Sequence, residues 1–330
     1  MGDNFRKFAI SISAARNFVL IISILFGILY FFYQPYLYDT YTITTLNKKS
    51  SSYNTYTNDL FNHKCGVILF FHIPKTGGGS VLKWLNEHTT VLNTYSMIRR
   101  DKKYSMNNKN YETLWKNVIL VANQFLSDMS PTKGWKAIHL HHLFPGMYYN
   151  QDIVGNWRTI VESKGCVLHK TTILRDPLDR FVSAVNYLRT PLNQVDYKMN
   201  IQRNQLSRYI LFGTCWQQDN DIKCHYTSTK DRPYLNHSYV LETTKIINKF
   251  DSIGFLDKYD EYLEIIRKVT GWKEDNTRQT KKKKVHQSQN HLSLTSDRLK
   301  KFLMLNQEDY LFYYNLRKNL SSIYQLNKIV

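Results

Sequence analysis

An uninterrupted apolar run, GVILFF at residues 66–71, is the feature that most constrains how this chain can fold. A run of this length without alternation is typical of a strand buried on both faces, as in a parallel sheet. It leads into HIPKTGGGS at residues 72–80, and then into a segment whose spacing places four side chains on one helical face: Val81, Trp84, Leu85 and His88. The glycines therefore lie in a strand-to-helix turn, where backbone N–H groups at the helix N-terminus can bind an anion.

A second stretch, TTILRDPLDRFVSAVNYLR at residues 171–189, has the same strand-turn-helix order. TTIL is β-branched and apolar, and Asp176-Pro177 ends the predicted strand. The spacing that follows predicts a buried helical stripe of Phe181, Ala184, Val185 and Leu188. Arg175 then lies at the strand end and Ser183 on the helix, where an arginine fork and a hydroxyl suit a phosphate. Taken alone, Arg175 and Asp176 could equally form a structural salt bridge.

Together, the two stretches resemble the cofactor signatures of the sulfotransferases. PKTGGGS is similar to their 5′-phosphosulfate loop, and RDPLDRFVSA is similar to their 3′-phosphate motif. The resemblance is closest to the membrane-anchored carbohydrate sulfotransferases of the Golgi, in the heparan sulfate 2-O and 6-O branch, and it covers roughly residues 65–320. It implies 3′-phosphoadenosine 5′-phosphosulfate as co-substrate and no metal. The residues implied to bind the 5′ end are Lys75, Thr76, Gly77, Gly78, Gly79 and Ser80, and those implied for the 3′-phosphate are Arg175 and Ser183.

Lys75 also has a catalytic role in this interpretation, because it can follow charge onto the bridging oxygen as the S–O bond breaks. Two positions depart from the family pattern: its members usually have Thr where Gly79 stands, and often Tyr where Val185 stands. The loop of a nucleotide kinase or ATPase would need its Lys after the glycines. Here Lys75 precedes them, so the order of residues excludes that class.

Three histidines between the two stretches are candidates for the general base that a hydroxyl acceptor needs. His139, His141 and His142 lie within WKAIHLHHLFPGMYY. On a strand, His139 and His141 would share a face, with His142 opposite. Such a cluster could instead bind a metal or serve only for packing, although no carboxylate lies nearby in the sequence. Related carbohydrate sulfotransferases carry a catalytic histidine in a Gly-His or His-x-His setting, which implies His141, with His142 and His139 as alternatives.

The N-terminal region contains an uncharged segment, FVLIISILFGILYFFYQPYLY at residues 18–38, which is long enough to span a bilayer. Three basic residues precede it, Arg6, Lys7 and Arg16, against a single acidic one, Asp3. They predict a cytosolic tail at 1–17, a transmembrane signal anchor at 18–38, and a lumenal remainder. A cleaved signal peptide is the alternative, but no small-residue cleavage site follows the apolar part.

The residues after this segment divide into two predicted regions. Residues 39–64 are polar and without periodicity, which predicts a lumenal stem, and residues 65–330 form the predicted catalytic domain. Two glycosylation sequons, at Asn236 and Asn319, fit a lumenal location. Within the resemblance, the expected protein is a single-pass type II glycoprotein of the Golgi membrane.

The four cysteines of the sequence are expected to form disulfides in such an oxidising compartment. They are Cys65, Cys166, Cys215 and Cys224. Four cysteines allow three pairings, and the short separation of Cys215 and Cys224 makes that bond the first expectation. The spacing contains no CxxC pair, so a structural zinc site is not expected.

The formal net charge of +19 arises although only 22% of the residues are charged, because carboxylates are scarce. Such a bias favours polyanionic partners, namely nucleic acid, an acidic polysaccharide or an anionic membrane surface, unless it reflects only drift toward Lys and Asn. A run of lysines such as that at 281–284 usually belongs to a solvated loop. In this chain it could also attract an acidic polysaccharide. With the resemblance, the expected partners are a carbohydrate or proteoglycan acceptor and the membrane, and not nucleic acid. The oligomeric state stays open.

These patterns predict an α/β fold, with a P-loop-like central parallel sheet flanked by helices and an N-terminal transmembrane helix. The expected function is transfer of a sulfuryl group to a hydroxyl of a glycosaminoglycan-like acceptor, with a histidine base. One alternative is a catalytically inactive, membrane-anchored polyanion-binding protein on the same fold. Another is a protein-tyrosine sulfotransferase, which is expected to use a glutamate base.

Overall fold

A parallel sheet forms the centre of the protein in this computed structural model, which describes residues 63–94, 96, 111–141, 146–147, 150–201, 203–213, 239–273 and 294–326. Its strands are β1 (Gly66–His72), β2 (Thr90–Asn93), β3 (Trp135–His141), β4 (Val167–Leu174) and β5 (Ser252–Phe255). Their order across the sheet is β2-β3-β1-β4-β5, and all neighbouring strands run parallel. The apolar run is β1, and every residue of it is buried between β3 and β4. The predicted parallel sheet is therefore confirmed.

Helices connect the strands and flank the sheet, as an α/β fold requires. Within the described residues they are α1 (Gly78–His88), α2 (Tyr111–Ser127), α3 (Gln151–Glu162), α4 (Pro177–Tyr187), α5 (Val195–Ile201), α6 (Gln205–Phe212), α7 (Tyr239–Ile247), α8 (Tyr259–Thr270), α9 (Ser296–Leu305) and α10 (Gln307–Leu326). The side chains of β1 alternate between two apolar clusters, one on each face of the sheet. Helices α1 and α8 cover the face of Ile68 and Phe70, while α2, α3, α6, α7 and α10 contribute to the opposite cluster.

The helical stripes predicted from spacing are mostly but not wholly confirmed. In α1, Val81, Trp84 and Leu85 are buried, and His88 is half-buried with its ring 4.4 Å from that of Trp84. In α4, three members of the stripe are buried: Phe181, Ala184 and Val185. The prediction for Leu188 is wrong, because α4 ends at Tyr187 and the Leu188 side chain is 54% exposed. A spacing pattern does not show where a helix ends.

A disulfide joins Cys65 to Cys166, with their Cα atoms 5.0 Å apart. The two cysteines directly precede β1 and β4, so the bond lies at the amino-terminal edge of two neighbouring strands. The pairing first expected, Cys215 with Cys224, lies outside the described residues. It is compatible with the bond that is present and stays a prediction.

Several other predicted features also lie outside the described residues. They are the anchor at 18–38, most of the stem, the lysine run 281–284, Asn236 and His142. Among the residues that the structure does describe, no helix is long and apolar enough to cross a membrane. Asn319, the second sequon, lies half-buried within α10. The described residues belong to one unit of the chain, Phe61–Val330.

A buried carboxylate, that of Asp309, fixes α10 against α6 and α4. It accepts hydrogen bonds from Leu206 N, Ser207 N and Ser207 Oγ at 2.7, 2.8 and 2.6 Å, and so caps the first turn of α6. The guanidinium of Arg180, on α4, is buried nearby and donates to Gln205. Burial lowers the pKa of Arg180 to about 10, and the charge of Asp309 opposes that shift. This arrangement holds α4 in place through buried polar contacts.

A second buried polar chain runs between β4, β5 and α8. His169 Nε2 donates to Ser252 Oγ at 2.8 Å, Ser252 Oγ donates to Thr171 Oγ1 at 2.7 Å, and Thr171 donates to the Tyr262 hydroxyl at 3.1 Å. Because Nε2 carries the proton in this arrangement, His169 Nδ1 is unprotonated, and none of the described residues donates a hydrogen bond to it. Burial lowers the pKa of His169 to about 4, so the ring is neutral in the folded chain at neutral pH.

The His169 pKa predicts a loss of stability in mild acid. The unfolded chain binds a proton at the ordinary histidine value of 6.5, whereas the folded chain binds one only near pH 4. The free energy of unfolding should therefore fall as the pH drops from 6.5 to 4, by about 3 kcal/mol from this residue. Urea unfolding at neutral pH and at pH 4 measures this, with His169→Gln as the comparison. An equally steep pH dependence in the variant would contradict the assignment.

Candidate functional site

The candidate site lies at the carboxyl edge of the sheet, where all the strands end. The chain leaves β1 for the far edge at β2, returns through β3, and then crosses to β4 on the other side of β1. The order of strands thus reverses beside β1, which is where ligands bind in open α/β sheets. The loop after β1 carries Lys75, and the turn after β4 carries Arg175, so both predicted signature stretches end at this edge.

The loop after β1 is a tight turn in left-handed backbone conformation. Lys75 has φ 70° and Gly77 has φ 95°. The hydroxyl of Thr76 donates to the carbonyl of Ile73 at 2.8 Å, and its side chain is fully buried. Thr76 therefore holds the turn closed from within. A non-glycine residue at positive φ costs about 1–3 kcal/mol, and such strain is concentrated at functional sites.

The N-terminus of α1, which follows this loop, has no side-chain cap and no acidic residue in its first turn among the described residues. Gly77 is the N-cap, no side chain caps the helix, and its first turn contains no acidic residue. Helix α4 differs, because the Asp176 carboxylate accepts from Leu178 N and Asp179 N at 2.9 and 3.1 Å. Its other oxygen accepts from the Tyr314 hydroxyl at 2.9 Å. Of these two helix N-termini, that of α1 has no capping carboxylate among the described residues, and the helix dipole there favours an anion.

A hydrogen bond joins the two signature stretches, which are far apart in the sequence. Arg175 Nη1 donates to the backbone carbonyl of Lys75 at 3.4 Å, across a sequence separation of 100 residues. Lys75 Nζ lies 3.8 Å from the centre of the Tyr187 ring, at the end of α4. Ser80 and Ser183 are half-buried, on the first turn of α1 and within α4 respectively. Lys75 and Arg175, one from each predicted set of binding residues, therefore lie in contact at one edge of the sheet.

The two cations of this site are partly withdrawn from water. Burial lowers the pKa of Lys75, and the nearby charge of Arg175 lowers it further. Burial also lowers the pKa of Arg175, against the raising effect of Asp179 and Asp176. Both shifts express the cost of withdrawing positive charge from water. Perturbed cations converging in this way are typical of functional sites.

A cluster of three histidine rings lies on the sheet face that α1 covers. The prediction that His139 and His141 share a face is confirmed, since their ring centroids are 5.7 Å apart and nearly parallel. The third member is His72, the last residue of β1, which the sequence analysis did not identify as a site residue. Its ring lies 4.1 Å from that of His141, and its Nδ1 lies 2.9 Å from His139 Nε2.

The end of β2 fixes the position of these rings. Asn93 Oδ1 accepts from His139 Nδ1 at 3.1 Å. The hydroxyl of Thr94 lies 3.0 Å from the carbonyl of His139 and 3.3 Å from the backbone nitrogen of His141. His139 is buried with both ring nitrogens in contact with neighbours, whereas His141 is half-buried. Of the two described candidates, His141 is therefore better placed to reach a substrate.

The glycines of the loop differ sharply in how much space surrounds them. A Cβ on Gly77 would lie 2.4 Å from Leu256 Cδ1, after the end of β5. A Cβ on Gly78 would lie 2.0 Å from Cδ2 of the His72 ring. Nothing lies within 4 Å of a Cβ on Gly79, so the Thr usual in the resembled family would fit there.

This difference predicts the order in which alanine substitutions perturb the loop. Gly77→Ala should destabilise the fold by roughly 1–2 kcal/mol, because an L-residue would be forced into left-handed backbone. Gly78→Ala should displace the His72 ring, whereas Gly79→Ala should change stability by less than about 0.5 kcal/mol. Chemical denaturation of the three variants measures these effects. A Gly79 variant as unstable as the other two would contradict the loop geometry.

No protein-family model matches the chain. A search of curated proteins also finds no match. Its function therefore has to be inferred from its own residues and their arrangement.

Proposed function

We propose that this protein transfers a sulfuryl group from 3′-phosphoadenosine 5′-phosphosulfate to a hydroxyl of a carbohydrate acceptor. The observation that carries the proposal is the contact between Arg175 and Lys75, which joins two sulfotransferase-like stretches beside the uncapped N-terminus of α1. A donor with phosphate at both ends needs two anion-binding groups at one site. Backbone N–H groups after Gly77 would receive the 5′ end, and Arg175 with Ser183 would receive the 3′-phosphate.

Lys75 acts in this proposal on the oxygen that leaves with the 5′-phosphate. Negative charge grows on that oxygen as its bond to sulfur breaks, so a nearby ammonium stabilises the transition state more than the ground state. The lowered pKa of Lys75 also makes it a better proton donor. The Tyr187 ring, 3.8 Å from Nζ, holds the ammonium by a cation–π contact.

His141 acts on the acceptor. A sugar hydroxyl has to lose its proton as its oxygen bonds to sulfur, and a neutral imidazole within hydrogen-bond reach can accept that proton. The half-buried position of His141 beside the loop supports this role, and the enclosed position of His139 makes it a weaker candidate. His142 remains the alternative base. The net charge of +19 favours an acidic polysaccharide as acceptor.

The proposed setting is the lumen of the Golgi, with residues 18–38 as the membrane anchor. Its support is the apolar length of that segment and the basic residues before it. A disulfide between Cys65 and Cys166 is also typical of an oxidising compartment.

The direct test is transfer of radiolabelled sulfate from the donor to a panel of desulfated glycosaminoglycans, followed by disaccharide analysis. We expect label on carbohydrate with the wild-type chain and a loss of about 10²–10³-fold in turnover with Lys75→Ala, since one charge-stabilising donor is removed. Lys83→Ala is the matched control, because Lys83 is an exposed lysine of α1 whose ion pair within the described part of the chain is with Glu87, at 4.0 Å. Its turnover should be unchanged.

Three outcomes would contradict parts of this proposal. Polysaccharide binding without any transfer would favour the inactive polyanion-binding protein. Label on a tyrosine peptide but not on carbohydrate would favour a protein-tyrosine sulfotransferase. Normal turnover by Lys75→Ala would remove Lys75 from the mechanism while leaving the reaction itself in place.

The assignment of the base makes a separate prediction. His141→Ala should lower turnover by about 10²–10⁴-fold, the usual contribution of a positioned base. Its affinity for adenosine 3′,5′-bisphosphate, measured by calorimetry, should be nearly unchanged because the ring serves the acceptor. If His142→Ala loses activity and His141→Ala keeps it, the base is the neighbouring residue.

A further inference from the structure

The strongest unexplained feature is a hydrogen-bond chain that ends beneath the loop, from Asn93 through His139 to His72. Asn93 Oδ1 can only accept, so His139 Nδ1, at 3.1 Å, carries the proton. Nε2 of the neutral His139 ring is then an acceptor, and His72 Nδ1, at 2.9 Å, donates to it. The chain thus sets both rings to the Nδ1–H tautomer and fixes the orientation of His72.

His72 lies between the two halves of the candidate site. Its ring packs against the first turn of α1 so closely that a Cβ on Gly78 would lie 2.3 Å from His72 Nε2. On its other side, the ring centroid lies 4.1 Å from that of His141, with the planes inclined at 58°. One side chain therefore touches both the loop that would hold the donor and the histidine that would serve as base.

Packing alone does not account for an imidazole at this position. The side chain of His72 is 8% exposed, and the residue before it on the same face, Phe70, has its ring 5.9 Å away. An apolar ring would continue that cluster, whereas a buried imidazole has a desolvation cost that its hydrogen bonds must offset. Here His139 accepts the hydrogen bond from His72, and Asn93 in turn accepts one from His139.

We propose that His72 is a positioning residue, which fixes the ring of His141 relative to the first turn of α1. The kinetic consequence rests on the proposed function, because it assumes that His141 is the base. A misplacement of about 1 Å between reacting groups can cost up to about 100-fold in rate. Loss of the His72–His139 bond should therefore lower turnover while leaving donor binding unchanged.

The kinetic test uses His72→Phe, which keeps a ring but removes the donor to His139. In the full-length chain, kcat should fall about 10- to 100-fold, and the KM for the donor should change less than about twofold. In a His141→Ala background the same substitution should change kcat less than about twofold, because His72 acts through His141. An equal loss in both backgrounds, or no loss in the wild-type background, would overturn the proposal.

Two further variants keep the result interpretable. His169→Gln replaces another buried histidine on the same face of the sheet, outside this cluster, and should leave kcat unchanged. His72→Asn offers an amide N–H near the position of Nδ1, and should retain more activity than His72→Phe. A His72→Asn variant that is no more active than His72→Phe, although folded, would count against the hydrogen bond as the cause.

A spectroscopic test does not depend on activity. Long-range ¹H–¹⁵N correlation spectra of the full-length chain, labelled with ¹⁵N-histidine, report the tautomer of each ring. His72 and His139 should both be Nδ1–H, and Asn93→Leu should change both signals. An Nε2–H tautomer at either ring would contradict the proposed hydrogen bonds between Asn93, His139 and His72, even if sulfuryl transfer is found. The expected tautomers together with no transfer would instead refute the proposed function alone.

Discussion

The position of β1 between β3 and β4 is the constraint on which the site depends. Every residue of β1 is buried, because neighbouring strands and helices enclose it. The chain leaves this buried strand at its carboxyl end and enters the turn that carries Lys75. Each neighbouring strand then brings its own last residues to the same edge. From β3 come His139 and His141, and from β4 comes Arg175. Parallel pairing thus assembles groups that are separated by as many as 100 residues in the chain.

The helix N-termini differ in whether a carboxylate of the protein caps them. Helix α4 has its positive end neutralised by its own Asp176, and α6 has its first turn capped by Asp309, so both ends are satisfied by the protein itself. Helix α1 is left without such a group, and Lys75 and Arg175 add two positive charges beside it. Burial lowers the pKa of both cations, although Asp179 and Asp176 partly offset the shift at Arg175. An anion placed beside these cations would oppose the lowering of both pKa values.

Much of this arrangement could be predicted from the sequence, since it depends on local patterns. The run before His72 predicted a buried parallel strand, and the spacing after Pro177 predicted the buried face of α4. Other features depend on the register between distant strands, which spacing does not reveal. His72 lies opposite His141 only because β1 and β3 pair in that register. Asn93 has no pattern that distinguishes it from a loop residue, and Leu188 fits the stripe but lies beyond the helix end.

The disulfide has a consequence for how the chain is made. Cys65 and Cys166 enclose β1, β2, β3 and the helices between them, across a separation of 101 residues. During synthesis the bond cannot form until residue 166 has emerged, when β1 can already pair with β3 but β4 is still incomplete. Its closure would commit β4 to the free side of β1 before the rest of the chain exists. A chain produced in a reducing compartment would lack this bond, and the pairing of β4 with β1 would then depend on packing and backbone hydrogen bonds alone.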